Sequence, residues 1–173
     1  VVGAPRYASY GRVYVLFGSD SMVDTFDLSD GADFIVSGSS ITRDISGSLG
    51  CGDFNDDGID DLVIGAPSQS TNSGGVYVVY GDVALAGELD LAVASADITI
   101  TGHAGQLGRD VAVADVNGDS VDDLILGAPY ADSNPDGLGS RQDAGVVLVL
   151  YGDSTHASAI DLDAHPADVI IYG

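Results

Sequence analysis

The sequence predicts an all-β chain made of four-stranded antiparallel blades of a β-propeller, about three of them and short of a closed ring. Three observations carry this. An acidic loop, 53–61, recurs at 115–123. Gly-Ala-Pro triplets fall at 3–5, 65–67 and 127–129, an interval of 62. Short apolar runs rich in β-branched and aromatic residues recur three times, ending at Gly18, Gly81 and Gly152 with the last interval lengthened to 71, and such residues favour strands when bounded by glycine. A four-stranded unit of about 60 residues in tandem reads as a propeller blade.

The strands follow in four sets. Val13 to Phe17, Val76 to Tyr80 and Val146 to Tyr151 form one, each ending in aromatic-Gly at Gly18, Gly81 and Gly152. Phe34 to Val36, Ile98 to Ile100 and Val169 to Ile171 form another, each preceded by Asp and followed closely by Gly. Ile45 to Phe54 and Arg109 to Val116 lead into the acidic loops, and Asp61 to Ile64 and Asp123 to Leu126 lead out of them. Residues 1–38 therefore hold the last three strands of one blade, 39–102 a full blade, and 103–173 another with an inserted loop at 132–143. Only 83–96 offers a helical turn, and Gly87 weakens it. Three blades leave faces and edges uncovered. The chain is expected to be a piece of a larger propeller, to be completed by other copies of itself, or to stack into a filament.

The acidic loops have the chemistry of a Ca²⁺ site. A hard cation takes oxygen ligands at alternate loop positions, with a sharp turn between them. Asp53, Asn55 and Asp57 supply side-chain oxygens, Ile59 its carbonyl, and Asp61 closes the shell. Gly58 takes the turn, where glycine adopts positive φ freely, while Asp56 and Asp60 face solvent. The second loop offers Asp115, Asn117, Asp119, the carbonyl of Val121, and Asp123. Ser120 stands at its turn and is expected to weaken this site by about 1 kcal/mol. Surface turns share this composition, but two loops in one register argue for the metal. An EF-hand needs an acidic ligand at the twelfth position, where this chain has Ile64 and Leu126. A third oxygen set lies in the inserted loop: Asp132, Asn134, Asp136, the Leu138 carbonyl, Ser140 and Asp143. Pro135 and the lack of a second copy leave an ordinary polar loop as the alternative.

Composition bounds the partners. The chain has 173 residues and a net charge of −22; Glu88 is its one glutamate, and all 5 basic residues are arginines. That charge excludes nucleic acid and anionic membrane surfaces. The single Cys51 aligns with Val113 and is expected to be a small buried hydrophobe. Tyr14, Tyr77 and Tyr151 belong to strands and packing, while Tyr7, Tyr10 and Tyr130 follow Gly-Ala-Pro in loops and are the better candidates for contact, with no contact assigned to them. No catalytic residues are assigned. His103, His156 and His165 share no register, and Asp153, Ser154 and His156 read as a polar turn.

The loop followed by Asp-Leu-x-x-Gly-Ala-Pro resembles the FG-GAP repeat of the integrin α-subunit propeller, also found in bacterial and archaeal surface proteins. The "FG" half is Leu107-Gly108 in the last repeat and degrades to Ile45-Ser46 in the one before. The resemblance implies structural calcium in both loops and an extracellular or cell-surface setting. The expected function is a calcium-binding adhesion, surface or self-assembling module, not itself an enzyme. The alternative is an accessory propeller segment of a larger secreted enzyme acting on polysaccharide or lipid.

Overall fold

A computed structural model describes residues 1–18, 25, 27–40, 42, 44–69, 73–102, 105–132 and 141–173. The chain is all-β. Its strands are β1 (Val2–Ala4), β2 (Arg12–Val15), β3 (Phe34–Ser37), β4 (Leu49–Gly52), β5 (Asp61–Gly65), β6 (Val76–Val79) and β7 (Gly87–Asp90). There follow β8 (Ile98–Thr101), β9 (Asp110–Ala114), β10 (Asp123–Ala128), β11 (Val146–Leu150), β12 (Ala159–Asp161) and β13 (Val169–Tyr172). One helical turn, Leu28–Gly31, and a 3₁₀ turn, Tyr7–Ser9, are the helical elements described.

Three sheets form, in the orders β1-β2-β3-β7, β4-β5-β6-β8-β12 and β9-β10-β11-β13. Sequential strands pair antiparallel in each, as a propeller blade requires. The middle sheet is buried on both faces, which is why β5 and β6 read as unbroken apolar runs rather than as an alternation. Alternate residues still go to opposite sides. Val63, Val76 and Val78 join the core shared with the third sheet, around Phe54, Leu124 and Leu148. Ile64, Tyr77 and Val79 join the core shared with the first, around Val13, Val36 and Ile45.

Neighbouring sheets approach backbone to backbone. A Cβ on Gly65 would stand 2.1 Å from the Gly108 carbonyl oxygen, so only glycine fits there. Leu107 and Ile45, the apolar residues of the two "FG" positions, are both fully buried against the preceding sheet. The Leu107 N–H donates to the Ser73 carbonyl, and the Leu107 carbonyl accepts from Gly75. Ile45 likewise donates to Tyr10. Ile45-Ser46 is thus the same plug as Leu107-Gly108, with Ser46 at φ 75° where Gly108 has φ 79°.

Two expectations are corrected. Segment 83–96 is not the only place for a helical turn, since one lies at Leu28–Gly31, and it keeps no more than a single turn in which the Asp90 carbonyl accepts from Val93 and Ala94. It forms turns and the strand β7, which leaves its own repeat and pairs in parallel with β3 of the preceding sheet. β12 does the same to β8. The sole glutamate fastens the first of these straps: Arg12 Nη2 lies 3.1 Å from Glu88 Oε1, and Ser37 Oγ donates to the same carboxylate. Cys51 is not buried but exposed. Its counterpart Val113 packs over Gly50 and Gly52 of the preceding sheet. The first sheet offers Cys51 no such strand, since none is described on the free side of β1.

The left-handed serine gives a test. Among the described residues the buried Ser46 hydroxyl has no hydrogen-bond partner, and its backbone is strained. Ser46→Gly is expected to stabilise the chain by about 1 kcal/mol, since both penalties go. Gly65→Ala is expected to destabilise it by about 1–3 kcal/mol, because the Gly108 backbone must move. Thermal unfolding of the two variants reads both signs.

Candidate metal centre

Residues 53–60 join β4 to β5, and residues 115–122 join β9 to β10. The first turn of each loop folds over its leading aspartate. Asp53 Oδ1 accepts the N–H of Asp57 at 3.0 Å and Oδ2 that of Gly58 at 2.8 Å. Asp115 accepts from Gly118 at 2.6 Å and Ser120 at 3.0 Å. Asn55 and Asn117 accept from Asp57 and Asp119, and their amide nitrogens donate back to those two carboxylates. Asp57 and Asp119 in turn accept the N–H of Ile59 and Val121. The side chains at positions one, three and five are therefore gathered in both loops.

Asp61 and Asp123 lie apart, beneath the loops, at 1% and 0% exposure. Asp61 takes the Phe54 N–H on Oδ2 at 3.0 Å and the Gly81 N–H on Oδ1 at 2.9 Å. Asp123 takes Val116 at 2.9 Å and Gly152 at 3.0 Å in the same way. Each carboxylate therefore ties its loop to the end of the third strand of the same sheet. Burial pushes the Asp61 carboxyl up to about 6, with Asp57 and Asp53 adding to the rise against the N–H groups of Gly81 and Phe54. Asp115 goes the other way, held below the ordinary carboxylate value by the N–H groups of Gly118 and Ser120.

The turn residues behave as expected in one respect and not in another. Gly58 has φ 84° and Ser120 φ 76°. But two positions earlier the roles are exchanged, with Asp56 at φ 61° and Gly118 at φ 85°. Each loop thus bears one non-glycine residue in the left-handed region, so Ser120 gives no ground for a weaker second site. Asp56 and Asp60 are exposed, as read from sequence.

The donors of each loop are all oxygen, which suits a hard cation and not a soft one. Carboxylate and amide oxygens that accept one N–H keep a second lone pair. Their present geometry is that of a closed turn: among the described residues, no three acidic, histidine or cysteine side chains stand close enough together to grip an ion. In the inserted loop, 133–140 lies outside the described residues, and with it Asn134, Asp136, Leu138 and Ser140. Its two ends meet, the Asp143 N–H donating to Asp132 Oδ1 at 3.0 Å.

Two contacts between sheets escaped the sequence reading. Asp122 Oδ2 accepts the Asp53 N–H at 3.0 Å, and the Asp122 N–H donates to the Asp53 carbonyl at 3.1 Å, so the two acidic loops are joined. His156 stacks on Phe54 with ring centroids 4.5 Å apart, and its Nε2 lies 2.8 Å from the Tyr151 carbonyl. The one sequence signal was glycine at 52 and 152, where a Cβ would strike Asp122. Asp153 accepts from Thr155, in the expected polar turn. Tyr14 and Tyr77 are buried, while Tyr7, Tyr10 and Tyr130 are exposed. His103 lies outside the described residues.

Three stacked sheets, two of them with an oxygen-rich loop between their first two strands, define a tandem-blade protein of the propeller class. FG-GAP repeats account for it: the model of that family matches residues 47–79 and 107–150. This is an FG-GAP repeat chain, homologous to integrin α chains and to part of a phospholipase. It is 33% identical over 186 residues to phosphatidylinositol-glycan-specific phospholipase D of Bos taurus, covering 100% of this chain and 21% of that protein. The Homo sapiens form matches equally, at 33% over 187 residues. Integrin alpha pat-2 of Caenorhabditis elegans is 40% identical over 83 residues, 48% of this chain and 6% of its own length. The chain thus spans about a fifth of the phospholipases it matches.

Asp61→Ala leaves two N–H groups unpaired beneath the loop and is expected to destabilise the chain by about 2–4 kcal/mol. Asp60→Ala, on the exposed rim, is expected to stay within about 0.5 kcal/mol. Denaturant unfolding separates them. The raised Asp61 carboxyl also has a sign. In chelator the folded state holds this proton up to about pH 6, whereas the unfolded chain releases it near the ordinary aspartate value of 3.8. Its contribution to stability is therefore present at low pH and lost as pH rises through about 6. A carboxyl-detected NMR titration with Asp61 assigned checks the midpoint.

Proposed function

We propose that this chain is an extracellular, calcium-braced propeller segment that serves as the non-catalytic part of a larger phospholipase-type enzyme. The observation that carries the reading is the match along 100% of the chain to phosphatidylinositol-glycan-specific phospholipase D, of which it makes up only 21%. The reaction then belongs to the rest of that enzyme, and the blades position it on a lipid-linked substrate. Integrin α matches support a second reading, an adhesion or assembly module, over a smaller share of the chain. Among the described residues no helix is long and apolar enough to cross a membrane.

In this reading Asp53, Asn55, Asp57, Asp61 and the Ile59 carbonyl hold one Ca²⁺. Asp115, Asn117, Asp119, Asp123 and the Val121 carbonyl hold another. The ions would supply positive charge where each loop gathers carboxylates over a buried one. Asp132 and Asp143 could hold a third. Modules of this kind bind at roughly 10⁻⁴–10⁻³ M, which keeps them filled outside a cell. The partner is the remainder of a larger propeller rather than a nucleic acid or a membrane interior.

Calorimetric titration is expected to show two calcium sites in that range, with Asp57→Ala and Asp119→Ala each removing one. Calcium that fails to raise the unfolding temperature would remove the metal from the proposal. The enzyme reading is tested on the complete reading frame by assaying hydrolysis of phosphatidylinositol-glycan. Activity that survives Asp57→Ala at low temperature and is lost on warming supports a bracing role. A complete frame without hydrolase activity that binds cell-surface protein would favour adhesion.

A further inference from the structure

We propose that the outer edge of β13 is a docking site for one parallel strand, delivered by the connector between the third and fourth strands of a further repeat in the same propeller. This goes beyond the proposed function and holds whatever enzyme the blades serve.

The chain shows the occupant twice. β7 pairs with β3 so that Glu88, Leu89 and Asp90 stand opposite Ile35, Val36 and Ser37. β12 pairs with β8 so that Ala159, Ile160 and Asp161 stand opposite Thr99, Ile100 and Thr101. Aligned on the Asp that precedes each outer strand and the Gly that follows it, the two registers are the same. An apolar residue faces the third residue of the outer strand, and an aspartate faces the fourth. Both straps end in the same way, too. Leu91 and Leu162 donate their N–H groups to the carbonyls of Ser37 and Thr101. Both then turn under an aspartate, with Asp90 and Asp161 accepting side-chain bonds from Ala92 and Asp163. The strap is thus a repeated device with the sequence apolar-Asp-Leu.

β13 is the third strand of this kind, and among the described residues it has a partner on one side only, β11. The contrast with its counterparts is large. Val36 and Ile100 are 0% exposed, while Ile171 at the same position is 55% exposed. Beside it, Arg109, Pro129, Val147 and Tyr172 line an open groove that also takes in Gly127 and Gly145. In the middle sheet the counterparts of those glycines, Gly65 and Gly74, are the ones on which the Leu107 plug of the next repeat sits. Edge and groove are therefore open together, and one further repeat covers both. Carried over to β13, the register places an apolar residue opposite Ile171 and an aspartate opposite Tyr172. The N–H of Ile170 takes the role of Thr99, which donates to the Ser158 carbonyl of its strap.

The probe is a capped peptide of residues 84–92, the first strap, added to the whole chain at millimolar concentration. Amide hydrogen exchange by NMR is expected to slow about ten-fold at Ile170, with binding that saturates. Gly87 and Leu91 donate to the outer strand, so by the two-residue period Leu89 does too. N-methylation at Leu89 is therefore expected to abolish the effect, and N-methylation at Glu88 to leave it. Absence of protection at Ile170, or equal loss from both methylated peptides, would overturn the proposal. So would protection that needs no peptide and grows with protein concentration, which would give the edge to a second copy.

Discussion

The structure depends on a carboxylate that cannot reach water. Asp61 and Asp123 each sit where a loop, a hairpin and the end of a neighbouring strand meet, and each is satisfied by two backbone N–H groups from opposite directions. Aspartate is the one residue short enough and doubly accepting enough for that position. Glutamate would overshoot, and asparagine would set a donor against a donor. The acidic loop above is then under a definite field. It gathers further carboxylates over a buried negative charge, an arrangement that a divalent cation relieves and that a chain without one relieves by turning its own amides inward.

From this latch the contacts between blades follow. Asp122, next to the Asp123 latch, reaches across to both backbone groups of Asp53. Phe54, next to Asp53, is stacked by His156 from the following repeat. The loops are therefore rungs between sheets as well as turns within them. The glycines at 52, 65 and 152 keep the backbones close enough for those bonds.

Much of this was legible in the residues. Period, strand sets and loop positions could be read because they recur, and recurrence separates a signal from the ordinary chemistry of turns. The exchange of glycine between positions four and six of the loops was not legible, because positive φ at Asp56 has no sequence mark of its own. Cys51 was misread for a related reason. Its burial is decided by the preceding blade and not by its own strand. The straps were missed because strands of three and four residues lack the alternation that identifies longer ones. In Leu85 to Leu91 the spacing of leucines even suggests a helix. What decides their conformation is the open edge they meet.

That last point bears on what kind of object a repeat of this family is. A blade with all four of its own strands is still not a closed unit: its outer strand is finished by the next repeat, and its inner strand inserts a plug into the one before. Sequence repeats and structural units are therefore offset from one another. Arg12, Ser37 and Glu88 make the offset chemical, since a glutamate of one repeat is held by an arginine and a serine of another. Interlocking of this kind makes stability a property of neighbouring pairs, as in other linear repeat proteins.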